Sequence, residues 1–240
     1  MTASIGPTPA DGVAALFTDA TAYELWGPGD PESLYPIEKA LVERAVNGRL
    51  RQFAAGRQCA RAALRELGLE PRPLARTVGR SPAWPAGIYG SISHTDGYAI
   101  AAVSDGADTG NGGRAGGGFS VGVDAEDVGR VTPELYSRLF CEAEQSQLVS
   151  MAPDDARIEA TVLFGLKESF YKAQFPLTEA WVGFHDVEIE AEDDVDSSGW
   201  VLHPRTDLEA LARVTWPVRG RALIRDQLVV TGVEVTPARS

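Results

Sequence analysis

Between about Pro36 and Leu67 the apolar positions Leu41, Val42, Ala45, Val46, Leu50, Phe53, Ala54, Ala60, Leu64 and Leu67 recur by threes and fours, with gaps, and Gly68 follows. This spacing predicts one long helix or two shorter ones, ended by a glycine cap. Arg57 and Arg61 then lie one turn apart on the same side. Pro71 and Pro73 mark the next loop, and Ser81 to Gly87, rich in proline, approaches two strands, Ile88 to Ser93 and Tyr98 to Val103, joined at His94 to Gly97. Alternating residues predict a further strand from Ser120 to Asp124. A helical stretch around Pro133 to Ser150 and a helix from about Ala156 to Ala173, stopped near Pro176, come next. Strands at Val187 to Glu190, Trp200 to Leu202 and Leu228 to Val235 complete a second α/β half.

Between the halves, residues 105–118 hold seven glycines in fourteen positions and no apolar periodicity, which predicts a flexible connection. The expected organisation is therefore an N-terminal half at 1–104, the connection at 105–118 and a C-terminal half at 119–240. The connection carries no Gly-Lys-Ser/Thr, so it is not a phosphate loop and an ordinary kinase is disfavoured. No apolar run approaches the roughly 20 residues needed to span a bilayer. The first residues also lack the basic start and apolar stretch of a signal peptide, so a cytoplasmic protein is expected. Cys59 and Cys141 form no CxxC pair and read as buried small hydrophobes.

The net charge of −12 argues against a nucleic-acid partner. Its distribution is uneven. Residues 39–80 carry ten basic side chains against three acids, so that segment is +7 and the remainder −19. A solvated arginine-rich helix would explain this, and so would a local site for a polyanion. The seven acids among residues 186–196 read as solvated surface.

Only three lysines occur, and two of them, Lys167 and Lys172, fall in Phe164-Gly-Leu-Lys-Glu-Ser-Phe-Tyr-Lys-Ala173. In the strand Val121-Gly-Val-Asp-Ala-Glu126, residues two apart share a face, so Asp124 and Glu126 project together while Val121 and Val123 turn to the core. Glu168 and Lys172, four apart on a helix, read alone as a surface pair worth a few tenths of a kcal/mol. Taken with Asp124 and Glu126, Glu168 completes an all-oxygen set suited to a hard divalent ion such as Mg²⁺, which keeps waters and shares its shell with phosphates. His94 follows Gly90-Ser-Ile-Ser93, where hydroxyl and backbone donors could approach an anion. His185 and His203 have no such setting.

Four segments in order, Gly56-Arg-Gln-Cys-Ala-Arg61, Pro82-Ala-Trp-Pro-Ala-Gly87 leading to Gly90-Ser-Ile-Ser-His94, Val121 to Glu126, and Leu166 to Ala173 with Phe175-Pro-Leu-Thr178 beyond, resemble the 4′-phosphopantetheinyl transferases of the enterobactin-synthase and surfactin-synthetase type. The resemblance covers the chain from about residue 15 onward and is closest to stand-alone bacterial enzymes of polyketide, nonribosomal-peptide and siderophore pathways. It implies an α+β monomer with two similar halves in pseudo-twofold relation, binding coenzyme A and Mg²⁺ in the cleft between them. Its implied reaction is Mg²⁺-dependent transfer of the phosphopantetheine arm to a serine of an apo acyl or peptidyl carrier protein, releasing adenosine 3′,5′-bisphosphate. By the same resemblance, Asp124, Glu126 and Glu168 would hold the metal, with the Ala125 carbonyl a further ligand. Glu168 would be general base, Lys172 would contact the pyrophosphate, and Ser93, His94 and Thr95 would meet the phosphates. Arg49, Arg57 and Arg76, with Gly79 and Arg80 alongside, would serve the 3′-phosphate and adenine, the choice between Arg76 and Arg80 staying open. The alternative is a non-catalytic coenzyme A or nucleotide binder that keeps the cleft without turnover.

Overall fold

Two strand–helix–hairpin units of the same topology form the molecule, which is a computed structural model describing residues 6–77, 81–106, 119–192 and 199–238. Leading elements β1 (Thr8–Pro9) and α1 (Asp11–Ala14) precede the first unit: β2 (Thr21–Trp26), α2 (Pro36–Leu41), α3 (Asn47–Glu66), β3 (Ile88–Thr95) and β4 (Tyr98–Asp105). The second unit comprises β5 (Ser120–Asp127), α4 (Tyr136–Leu139), α5 (Glu142–Ser150), α6 (Pro153–Thr178), β6 (Val187–Ala191), β7 (Trp200–Pro204), α7 (Glu209–Ala212), β8 (Val218–Arg225) and β9 (Leu228–Val235). The sheets run β1-β2-β4-β3 and β5-β9-β8-β7-β6, all neighbours antiparallel. In each, the strand before the long helix pairs with the last strand of the hairpin, so β2-β4-β3 repeats as β5-β9-β8. This is an α+β fold. Gly79 and Arg80, most of the glycine-rich connection and part of the acidic run lie outside the described residues.

Strand alternation assigns each face to a core. On β4, Ala99, Ala101 and Val103 pack with Ala55, Cys59, Ala63 and Leu64 of α3, while Tyr98, Ile100 and Ala102 face the other half. There they meet Val121, Val123 and Ala125 of β5, Val230 of β9, and Val13, Leu16 and Phe17 of the leading segment. That shared core joins the halves, because each side removes the other's apolar face from water. The third cluster seats Leu163, Leu166, Phe170 and Ala173 of α6 on Leu202, Val229 and Val233.

Several boundaries differ from the sequence expectation for local reasons. The first helical stretch is two helices, broken at residues 42–46, and Gly68 takes φ +73° after the second. His94 belongs to β3 itself, and the turn narrows to Asp96-Gly97 with Gly97 at φ +80°. The helix predicted to stop near Pro176 continues to Thr178. Its last carbonyls are capped by Arg213, which donates to Leu177 O at 2.7 Å and Thr178 O at 3.0 Å. Cys59 and Cys141 are free and buried, and burial raises both thiols.

Candidate active site

One side of the site begins with a missing side chain. A Cβ on Gly122 would fall 1.8 Å from the Ser169 carbonyl oxygen, so α6 lies directly on β5 only because residue 122 is glycine. Gly122, Asp124 and Glu126 share that face of β5, and the next turn of α6 brings Lys172 to Asp124. Lys172 Nζ donates to Asp124 Oδ1 at 2.6 Å and to the Val123 carbonyl at 3.2 Å. Lys172 therefore pairs from α6 down to Asp124 on β5, not along its helix with Glu168 as the four-residue spacing implied. Asp124 is also no projecting carboxylate at a strand end: it stands within β5 and is 3 % exposed.

Two buried oxygens here have no hydrogen bond, Asp124 Oδ2 and Glu126 Oε2. Arg130 Nε lies 3.3 Å from Glu126 Oε2, close enough for charge attraction but off the line of a hydrogen bond. Burial, then repulsion from Asp124, pushes the Glu126 carboxyl up to about 7. Glu168 is raised as well, by burial and by Asp124, against the lowering pull of Lys172. Buried polar atoms without partners are costly, and mutually repelling carboxylates call for a cation. Among the described residues no three His, Cys, Asp or Glu side chains converge into a ready-made metal cage. Two free oxygens and a partly open set fit an ion that shares its shell with substrate and water.

The other half contributes positive charge. The Arg49 guanidinium contacts both ring nitrogens of His94, at 3.4 Å for Nδ1 and closer for Nε2. Burial, with Arg49 and Lys172 nearby, lowers His94 to about 4, so the ring is neutral at pH 7. Arg57 is nearly buried, its guanidinium 4.3 Å above the Phe53 ring and its Nε unsatisfied. Burial, partly offset by Glu38, lowers it to about 10, with Arg76, Arg61 and Arg49 repelling it further. Burial and Arg76 lower Arg49 too. Guanidinium groups that repel one another beside a histidine make a site awaiting an anion. Not every charge of the +7 segment takes part. Arg61 is spent on fully buried Glu38, through contacts of 3.0 and 3.2 Å, and Lys39 on Glu32 at 3.0 Å.

Ser93 and Thr95 face the seam. Ser93 Oγ donates to Asp124 Oδ1 at 2.8 Å, and Thr95 Oγ1 donates to Asp127 Oδ1 at 3.0 Å. Lys167, singled out by its position in the lysine-bearing stretch, is a buried strut. It bonds Glu144 at 2.8 Å, the Phe184 carbonyl at 2.6 Å and the Val187 carbonyl at 2.8 Å. The loop it holds forms one wall of a cavity of about 190 Å³ whose lining includes Glu168, Phe170, Tyr171, Trp181 and Phe184. Sequence reasoning missed this cavity. Tyr171 lies inside the quoted stretch, but nothing local signals that Trp181 packs on it, with ring centroids 5.1 Å apart.

A carboxylate–ammonium cluster near guanidinium groups, with a cavity beside it, suits one class of protein: those that handle a phosphate ester. Comparison with known proteins narrows the class. Residues 37–104 match the 4′-phosphopantetheinyl transferase N-terminal domain, and residues 120–216 match the 4′-phosphopantetheinyl transferase superfamily. The chain is 34 % identical over 229 residues to 4′-phosphopantetheinyl transferase PptT of Mycobacterium tuberculosis, covering 92 % of this chain and 94 % of that protein. It is 38 % identical over 180 residues to 4′-phosphopantetheinyl transferase Svp of Streptomyces mobaraensis, covering 74 % and 67 %. Enterobactin synthase component D of Escherichia coli O157:H7 is 33 % identical over 187 residues, covering 77 % and 80 %. The chain belongs to the 4′-phosphopantetheinyl transferase superfamily.

Proposed function

We propose that the seam between β3, β5 and α6 is where this transferase moves the 4′-phosphopantetheine arm of coenzyme A onto a serine of an apo carrier protein, releasing adenosine 3′,5′-bisphosphate. The observation that carries this reading is the Asp124–Lys172 pair beside two buried carboxylate oxygens that accept no hydrogen bond, with His94 and Arg49 close by. Family membership supports acyl or peptidyl carriers of polyketide, nonribosomal-peptide or siderophore synthesis as partners.

In this reading Arg49, Arg57 and Arg76 take the 3′-phosphate and adenine end, and His94 and Lys172 face the pyrophosphate. His94, held neutral chiefly by burial, keeps one ring N–H that can donate to a phosphate oxygen. The apolar cavity next to Glu168 receives the arm. Glu168, made more basic by burial and Asp124, takes the proton of the attacking carrier serine, directly or through water. Asp124, Glu126 and Glu168, with the Ala125 carbonyl, would hold Mg²⁺, which when bound supplies positive charge to the pyrophosphate oxygens. Because transfer of this kind depends chiefly on alignment and charge, the closely packed α6–β5 contact matters more than any single exotic group.

Both halves of one chain build the site, which supports a monomer. Among the described residues no helix is long and apolar enough to cross a membrane. A division into 1–104 and 119–240, linked by 105–118, is supported by family matches ending at 104 and starting at 120. Incubating a panel of apo-carriers with enzyme, coenzyme A and Mg²⁺ and weighing the products tests the reading. Each true partner gains one arm, and a panel without any gain rejects it.

A further inference from the structure

Gln174 is a fully buried amide on α6, two turns beyond the strut Lys167 and on the same face of the helix. Its side chain closes a ring of hydrogen bonds. Nε2 donates to the Ala180 carbonyl at 3.2 Å, and Oε1 accepts from Thr178 Oγ1 at 2.5 Å. Thr178 Oγ1 accepts in turn from the Ala180 N–H at 3.2 Å, so each of the three residues gives one hydrogen bond and takes one. A buried polar network of this kind rigidifies the segment it joins.

That segment is the exit from α6. Glu179 holds φ +55° there, a left-handed conformation that a non-glycine residue keeps only when its surroundings impose it. Ala180, tied down at both its N–H and its C=O, directs the next residue, Trp181, onto Tyr171. Trp181 is 73 % exposed, so burial does not hold it in place. Farther along, Lys167 fixes the Phe184 and Val187 carbonyls, and Asp186 Oδ2 accepts from the Gly183 N–H at 2.7 Å. The wall of the cavity beside Glu168 is therefore pinned at both ends to the helix that carries Glu168, by Gln174 at one end and Lys167 at the other.

We propose that Gln174 is a positioning residue for the phosphopantetheine arm: its ring with Thr178 and Ala180 holds Trp181 as the cavity wall, while Gln174 itself stays buried behind that wall. The proposal rests on reading this cavity as the place that receives the arm. Calorimetry on wild type, Gln174→Leu, Thr178→Val and Trp181→Ala compares coenzyme A with adenosine 3′-phosphate 5′-diphosphate, which ends at the second phosphate and has no arm. The difference between the two ligands isolates the arm from the nucleotide in each protein. A wall in place about a tenth of the time lowers apparent affinity about 10-fold, so Gln174→Leu and Thr178→Val should each weaken coenzyme A by roughly 10-fold and leave the armless nucleotide unchanged. Equal weakening of both ligands would make the ring purely structural and overturn the proposal. Wild-type coenzyme A affinity in either ring variant would overturn it too. Coenzyme A affinity unmoved by Trp181→Ala would instead remove the reading of the cavity, and the proposal with it.

Discussion

Replacing Lys172 by methionine should destabilise the protein more than replacing Asp124 by asparagine, although the two form one ion pair. Asp124 is the trapped partner. Its side chain is 4 % exposed, whereas Lys172 retains 26 %. Without Lys172 the carboxylate keeps only the Ser93 hydroxyl on Oδ1, and Oδ2 already lacks a hydrogen bond. Without the Asp124 charge, Lys172 still donates to the Val123 carbonyl at 3.2 Å and can turn toward water. Breaking a buried pair costs about 3–5 kcal/mol, and the partial exposure of Lys172 puts Lys172→Met near the lower figure, about 3 kcal/mol. Asp124→Asn, which keeps a shape that accepts from Ser93, should cost about 1 kcal/mol. For a chain of this size each kcal/mol moves Tm by about 2–4 °C, so metal-free thermal unfolding should fall by about 6–12 °C for Lys172→Met. The double variant should recover part of that loss, because the uncompensated charge is gone. A Lys172→Met midpoint indistinguishable from wild type would mean a solvated pair worth nothing measurable, and would refute the buried geometry.

Gly122→Ala forces a methyl group into the Ser169 carbonyl, and should cost about 3 kcal/mol or more while displacing α6 and slowing transfer; unchanged Tm and rate would mean that α6 does not rest on β5. His94, lowered to about 4 from 6.5, binds fewer protons folded than unfolded between those values. Its contribution therefore falls as pH drops from 6.5 toward 4, and His94→Asn should remove about 2 kcal/mol of that loss, after allowing for partial exposure. The comparison must be a difference between the two proteins, because Glu126, raised to about 7, has the opposite sign and gives stability below its unfolded value that is lost as pH rises through 7. Identical pH–stability curves would contradict the His94 assignment. Dephospho-coenzyme A should bind about 10-fold or more weaker than coenzyme A by calorimetry, and Arg49→Ala should erase much of that gap. Arg49 is the cleaner probe, since Arg57 also packs against Phe53 and Glu38; equal affinities in wild type would dismiss the 3′-phosphate role.

Asp124 and Glu126 were legible because a period of two is a local property of a strand, and their shared face is seen in the structure. Lys172 was legible as a residue but not as a partner. Spacing along a helix pointed to Glu168, while the contact that forms depends on Gly122 letting α6 approach β5. Long-range packing of that kind leaves no periodic trace. The same holds for Glu38, which takes Arg61 out of the basic surface, and for Glu144, which makes Lys167 a strut. Strand β8 escaped notice because its inward positions include Gly220, whose missing side chain leaves room for Leu166, and its outward ones carry arginines. The leading segment escaped too. Val13, Leu16 and Phe17 are too few to show a period, yet they fill the core between the halves.

Mass spectrometry of one apo-carrier after incubation with coenzyme A and Mg²⁺, run side by side for wild type and Glu168→Gln, tests the central claim most directly. Wild type should load one phosphopantetheine arm on the carrier serine and stop when EDTA is added. Glu168→Gln should keep its fold but load on the order of 100-fold more slowly in single turnover at saturating coenzyme A. Equal single-turnover rates in the two proteins, or loading that proceeds unchanged in EDTA, would contradict the account.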